Sequence, residues 1–103
     1  MTMQDVNHRD ELGATKLFEA VSDQSTKLVE RLLKQGADPN IPENNGTTPL
    51  MEAASGEDIA IIDLLLASGA KLDAQDHFGD TALDYARNNG CKKAEAYLKA
   101  KLS

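Results

Sequence analysis

The chain has 103 residues, 41% of them hydrophobic, with 17 acidic residues against 11 basic ones and a formal net charge of −6 at pH 7. This length fits one small domain, and the apolar share excludes a chain that is disordered throughout. The longest apolar runs, residues 59–62 and 64–67, are far shorter than the ~20 residues that cross a bilayer. Residues 1–13 contain no stretch of signal-peptide type, and the lone Cys91 cannot form an internal disulfide. We therefore expect a cytoplasmic protein with no membrane segment.

The charge is distributed unevenly along the chain. Sixteen of the 17 acidic residues lie before residue 87, whereas five of the 11 basic residues lie in residues 87–103. An acidic body repels nucleic-acid phosphates, and lysines near the end of a helix favour its C-terminus. We expect no nucleic-acid partner.

The sequence repeats with a period of 33 residues and without gaps. The recurring residues are Gly13, Gly46 and Gly79; Thr15, Thr48 and Thr81; Leu17, Leu50 and Leu83; and Ala20, Ala53 and Ala86. The pattern divides residues 12–102 into three units, at about 13–45, 46–78 and 79–102. Residues 1–11 precede them as a polar tail, or as an extension that lengthens the first helix by a turn.

Each unit predicts two short helices followed by a loop. In the middle unit, Thr48 and Pro49 are typical of a helix start, and this helix runs to about Ser55. A second helix, from about residue 58 to residue 67, carries apolar residues at helical spacing. Gly69 follows it at the position where a helix end favours a positive φ. The turn-rich stretch 71–79 then leads to the next unit.

These motifs are those of a known family. The series Gly46-x-Thr48-Pro49-Leu50-x-x-Ala53-Ala54, followed by Leu65-Leu66-x-x-Gly69-Ala70, resembles the ankyrin repeat. The tetratricopeptide repeat has a period of 34 and lacks both blocks. The resemblance implies an all-α fold, an ankyrin-repeat solenoid of three helix-turn-helix units joined by hairpin-like loops.

The sequence departs from the family pattern at two positions in the first two units and at one of them in the third, which keeps the family's glycine as Gly90. Histidine usually follows Thr-Pro-Leu in this family, and the equivalent residues here are Phe18, Met51 and Asp84. The family's glycine between the two helices is replaced by Gln24 and Glu57 in the first two units. Either these two residues adopt a left-handed conformation or Gly56 forms the second turn. The end units carry polar residues at stacking positions, so we expect caps and a complete small protein.

Catalytic and metal-binding patterns are not evident. His8 and His77 lie outside any metal-ligand spacing, the glycines are not clustered for phosphate, and Cys91 has no base near it in sequence. Glu19 and Glu52 lie one period apart, roughly 10 Å if neighbouring helices stack, which is too far to share a proton. They are solvated side chains or an acidic stripe for a basic partner. We expect no enzyme activity, no cofactor and no metal.

The remaining candidate is a protein-binding surface. The resemblance implies a concave face formed by loop tips and first helices, which here contains Glu19, Ser22, Asp23, Asn44, Asn45, Thr47, Glu52, Ser55, His77, Phe78, Asp80, Tyr85, Asn88 and Asn89. Phe78 and Tyr85 are the expected anchors, because large flat side chains bury much area at small entropic cost. Phe78 has the alternative of packing on the adjacent loop, whereas packing does not readily explain Tyr85.

The resemblance therefore predicts a protein-protein interaction module that acts as an adaptor or as an inhibitor by steric occlusion. We expect a monomer that binds a protein partner with a basic surface. One alternative is a self-associating protein whose concave face is filled by another copy. The other is a ligand-binding protein or enzyme that uses Cys91 or the stripe of Glu19 and Glu52.

Overall fold

Six helices in three successive pairs make up the fold, as the resemblance predicts. The computed structural model describes residues 5–102. The helices are α1 (Lys16–Ser22), α2 (Thr26–Lys34), α3 (Pro49–Ser55), α4 (Ile59–Ala67), α5 (Ala82–Asn88) and α6 (Lys92–Leu102). The first helices contact each other in the order α1, α3, α5, and the second helices in the order α2, α4, α6. Residues 5–102 contain no strand, so the described chain is an all-α solenoid.

A threonine begins the first helix of every unit, as its spacing predicts. The hydroxyl oxygen of Thr15 accepts the amide of Phe18 at 3.1 Å, and that of Thr48 accepts the amide of Met51 at 3.3 Å. Each bond satisfies an amide that has no partner within its own helix. The chain therefore enters each helix pair in the same way.

The residues that replace the family's histidine differ in whether their side chains bond back to the threonine that begins the helix. The carboxylate of Asp84 accepts both the amide and the hydroxyl of Thr81, at 3.0 and 3.1 Å. The sulfur of Met51 accepts the amide of Thr48 at 3.3 Å. The side chain of Phe18 has no acceptor atom, so it cannot accept the amide of Thr15 in the same way. Its aromatic side chain is left at the surface of the first unit, half-buried.

The turn between paired helices is left-handed at Gln24 and Glu57, which decides between the two expected arrangements. Their φ angles are 57° and 55°, while Gly56 has an ordinary φ of −92°. Both side chains reach the next unit: the amide nitrogen of Gln24 donates to the carbonyl of Gly56 at 3.2 Å, and the carboxylate of Glu57 accepts the amide of Lys93 at 2.7 Å. Glycine could not make these bridges.

The apolar stripes of the six helices merge into one core. Its most deeply buried side chains come from all three units and are Leu17, Val29, Leu50, Met51, Ile61, Ile62, Leu65 and Leu98. In the last unit Glu95 takes the place of Ile62, and it forms ion pairs with Arg87 at 3.3 Å and Lys99 at 3.4 Å. The third unit therefore carries charged residues at a position that is apolar in the middle unit.

The expectation that residues 1–11 extend the first helix is wrong for the residues described. Residues 5–12 form turns, and α1 begins only at Lys16. They repeat the loop of the later units instead: the side-chain oxygen of Asn7 accepts the amide of Asp38 at 2.7 Å, as that of Asn40 accepts the amide of Lys71 at 2.9 Å. Residues 1–4 lie outside the described part of the chain. The 33-residue pattern thus extends through residues 5–11.

Substitution of two glycines that share one backbone conformation tests how closely the loops stack. Gly36 and Gly46 have φ angles of 95° and 85°, so alanine is strained at either position. A Cβ at Gly46 would lie 2.9 Å from the amide nitrogen of His77, whereas one at Gly36 would meet nothing within 4 Å. We expect Gly36→Ala to lower the free energy of unfolding by about 1 kcal/mol, and Gly46→Ala by at least about 2 kcal/mol. Equal losses in urea titrations would contradict the close stacking of the loops.

Candidate protein-binding surface

A carboxylate holds each of the three loop tips in place. Asp10 accepts the amides of Leu12 and Ala14, both at 2.9 Å. One period later Glu43 accepts the amides two and four residues on, at 2.7 and 3.0 Å, and Asp76 repeats the pattern at 2.9 and 2.9 Å. Each bond to the carboxylate is charge-assisted and therefore stronger than one between neutral groups. The tips, residues 11–12, 44–45 and 77–78, are rigidly presented as a result.

Backbone hydrogen bonds join neighbouring tips to each other. The amide of Asn44 donates to the carbonyl of Leu12 at 2.9 Å, and the amide of His77 donates to the carbonyl of Asn45 at 3.1 Å. The side chain of Asn44 adds a bond to the carbonyl of Glu11 at 3.3 Å. Together with the outward sides of α1, α3 and α5, the three tips form what we call the tip-and-helix surface.

The residues expected to bind a partner all lie on the tips, on the first helices or directly beside them, with different degrees of exposure. The exposed ones are Glu19, Ser22, Asp23, Asn44, Asn45, His77, Phe78, Asn88 and Asn89, and the half-buried ones are Thr47, Glu52, Ser55, Asp80 and Tyr85. Ser22, Glu52 and Ser55 line one small recess between α1 and α3. Their availability to a partner is thus uneven.

Tyr85 has a role inside the fold that the sequence did not suggest. Its hydroxyl donates to the carboxylate of Asp76 at 2.5 Å and lies 3.1 Å from the hydroxyl oxygen of Thr47. The bond from Tyr85 lowers the pKa of Asp76, while burial and then this same bond raise the pKa of Tyr85. We expected that packing would not readily explain Tyr85, but its ring packs against the core and its hydroxyl ties α5 to two loops.

Asn89 also acts within the fold, since its side-chain amide donates to the carbonyl of Tyr85 at 2.8 Å, at the end of α5.

Phe78, in contrast, does not pack on the adjacent loop, because its side chain is 83% exposed. Leu12 occupies the equivalent position in the first tip and is 71% exposed. Sequence reasoning missed Leu12 because it treated residues 1–11, directly before it, as a tail or a helix extension and not as a loop of the repeat. The alignment of Asp5 and Asn7 with Asp38 and Asn40 was the available signal.

Glu19 has acidic neighbours that the sequence did not reveal. Its pKa is raised, first by a hydrogen bond with the carboxyl group of Asp10, then by partial burial and by the negative charges of Asp10 and Asp23. The pKa of Asp10 is lowered, chiefly by the backbone amide of Ala14. A sequence spacing of nine residues gives no hint of this contact. The first unit thus has a concentration of negative charge at its own tip.

The alternative function relies on Cys91 or on the stripe of Glu19 and Glu52. Cys91 is buried directly before α6, and its sulfur donates to the carbonyl of Ser55 at 3.4 Å. Within residues 5–102, no three His, Cys, Asp or Glu side chains are grouped so that they could hold a metal ion. No helix in that range is both long enough and apolar enough to cross a bilayer.

Replacement of the Tyr85 hydroxyl tests its structural role. We expect Tyr85→Phe to lower the melting temperature at pH 7 by about 4 °C, because the ring remains and only the bonds are lost. The folded pKa of Asp76 lies below its ordinary value of 3.8, so this contribution is complete above that value and is lost as the pH falls through the folded pKa. Circular-dichroism melts between neutral and acidic pH should show the difference from wild type shrinking in acid. The exposed variant Asn88→Ala serves as the control, and a pH-independent difference would contradict the role assigned to the Asp76 bond.

Comparison with known proteins agrees with the geometry. The family model for ankyrin repeats matches residues 17–101 in three copies, which is most of the chain. A search of curated proteins gave no match. The matched region includes all residues of the six helices except the first, Lys16, and the last, Leu102, and its three copies equal the number of stacked helix pairs. The chain belongs to the ankyrin-repeat family.

Proposed function

We propose that this protein binds a partner protein through its tip-and-helix surface. Ankyrin repeats are generally protein-protein interaction modules. The observation that carries the proposal is the position of Phe78, a large apolar side chain that is 83% exposed on a tip held by Asp76 and by the neighbouring loop. An aromatic ring on a loop whose backbone is held in place loses little entropy on binding and buries a large area, which suits an interaction anchor.

The proposed mechanism is steric. The protein covers or holds a surface of its partner, as an inhibitor or an adaptor, and alters no bond. It acts as a monomer in the cytoplasm, where its single buried cysteine would persist as a thiol. Ser22, Asn44, Asn45 and Asn88 are exposed polar positions from which the rim of such an interface is built.

Electrostatics favour a partner with a basic surface. Glu19 and Asp23 are exposed on α1 and Glu52 lies half-buried on α3; none of the three takes part in an ion pair within residues 5–102. Such an acidic face accelerates association with a positively charged partner and discourages an acidic one. Tyr85 enters the proposal as a residue that positions the tips, in addition to any contact of its own.

Capture from the native host's lysate tests the proposal. We expect wild type to retain one stoichiometric partner, and Phe78→Ser to weaken its binding at least tenfold, the loss typical of an interface anchor, at about 2 kcal/mol. Leu102→Ser is the matched control, because it removes an apolar side chain that is 53% exposed at the far end of α6. Undiminished capture by a folded Phe78→Ser would contradict the choice of surface, and so would the absence of any stoichiometric partner.

A further inference from the structure

The first unit carries a groove beside its loop tip. It has a volume of about 350 Å³ and lies between the first loop tip and α1. Leu12, Ala14 and Phe18 form its apolar side, while Asp10, Glu19 and Asp23 form its acidic side. The two kinds of side chain line one depression open to solvent.

The apolar side arises from the residues that distinguish the first unit from its neighbours. Leu12 is 71% exposed at the tip, and Phe18 is half-buried where it follows the helix start. In the second unit the equivalent residues are the polar Asn45 and the fully buried Met51, and in the third they are Phe78 and the capping residue Asp84. Of the three units, only the first has an apolar tip residue together with a half-buried apolar residue at the helix position that Phe18 occupies.

The acidic side carries charge that nothing in residues 5–102 neutralises by an ion pair. Asp10, Glu19 and Asp23 take no part in the ion pairs of that range, which are formed by Glu30, Asp84 and Glu95. The pKa of Glu19 is raised, first by its hydrogen bond with Asp10 and then by partial burial and by the negative charges of Asp10 and Asp23, and the charge of Lys16 offsets this only in part. A cation placed among the three carboxylates would relieve their mutual repulsion.

We propose that this groove binds a lysine or arginine side chain of a partner protein, with its aliphatic stem against Leu12 and Phe18 and its charged head among Asp10, Glu19 and Asp23. This inference deepens the proposed function, on which it rests, and names the partner's chemistry at one end of the surface. A long basic side chain matches both sides of the groove, since such residues bury their methylene stems and keep the head polar. A purely apolar side chain would leave the carboxylates without a counter-charge, and an anion would be repelled. A metal ion is disfavoured because the described residues hold no metal-ligating group of three.

Both halves of the interaction are needed for useful affinity. An exposed ion pair contributes little on its own, whereas the stem adds buried apolar area of about 25 cal/mol per Å². A short peptide that occupies only this groove should therefore bind with a Kd on the order of 1 mM. The same groove should add specificity, more than affinity, to a full protein interface.

The test is a nuclear magnetic resonance titration of the isotope-labelled full chain with the peptide acetyl-Gly-Leu-Arg-Leu-Gly-amide. We expect saturable shifts of the amides of Leu12, Ala14, Phe18 and Asp23. The matched peptide with citrulline in place of arginine keeps the shape without the charge, and it should bind at least fivefold more weakly. The same spectra show whether each variant is folded.

Two variants and a control assign the binding to the groove. The double variant Glu19→Gln, Asp23→Asn should weaken the arginine peptide at least fivefold, and Leu12→Ser should weaken it about threefold, the loss of roughly one buried methylene. Asp73→Asn, which removes an exposed carboxylate outside both the groove and the tip-and-helix surface, should leave it unchanged. The proposal is overturned by absent or unsaturable shifts, by equal binding of the citrulline peptide, or by shifts confined to the tip at Phe78. It is also overturned if raising the protein concentration alone shifts the groove amides, since a second copy would then be the occupant.

A parallel capture experiment separates this inference from the proposed function. If the partner is lost with Phe78→Ser but retained at full affinity with Glu19→Gln, Asp23→Asn, the protein-binding function stands and the groove is excluded. If neither variant affects capture, both proposals fail. Loss with both variants, together with the selective peptide shifts, is the result that we expect.

Discussion

The structure depends on the mutual burial of its repeats, because no helix pair encloses a core of its own. Ile61 and Ile62 of the middle unit are fully buried in a core whose other members come from the units on either side. Removing a neighbour would return such side chains to water, at a cost of about 2 kcal/mol each. Every other feature, from the loop tips to the left-handed turns, is arranged so that the next unit can lie in this register.

The register is reinforced outside the core by polar bridges at equivalent positions. Asn7 and Asn40 each accept an amide of the following loop, and Gln24 and Glu57 each bond to the backbone of the following unit. At the two left-handed residues, backbone strain is offset by a side-chain bond to the next unit. A glycine would remove the conformational strain of a positive φ, but it would also remove the side chain that crosses to the next repeat. The chain therefore retains strained residues where they link units.

The repeat pattern predicted the fold closely because it depends on local chemistry repeated three times. Thr48 and Pro49 marked a helix start, and the structure confirms it to the residue. The binding surface was less predictable, since its details depend on contacts between distant residues. The bond from Tyr85 to Asp76 spans nine residues and that to Thr47 spans 38, and neither follows from the residue types alone. The role of Leu12 was obscured because the loop before α1 lacks the helix pair that precedes the later loops.

The acidic residues fall into two classes, which differ in the groups that surround their carboxylates. Asp10, Asp76 and Asp84 accept hydrogen bonds from the backbone, and their pKa values are lowered as a consequence. Such carboxylates already have partners and mainly hold loops and helix starts in place. Glu19 differs because the largest effect on its pKa is a hydrogen bond with another carboxyl group, that of Asp10, which raises the pKa. A count of acidic residues therefore overstates the binding potential of the surface, and a carboxylate's hydrogen-bond donors are the better guide. By that criterion the first repeat, where a charged cluster lies beside exposed apolar side chains, is the part of the surface best suited to bind a partner.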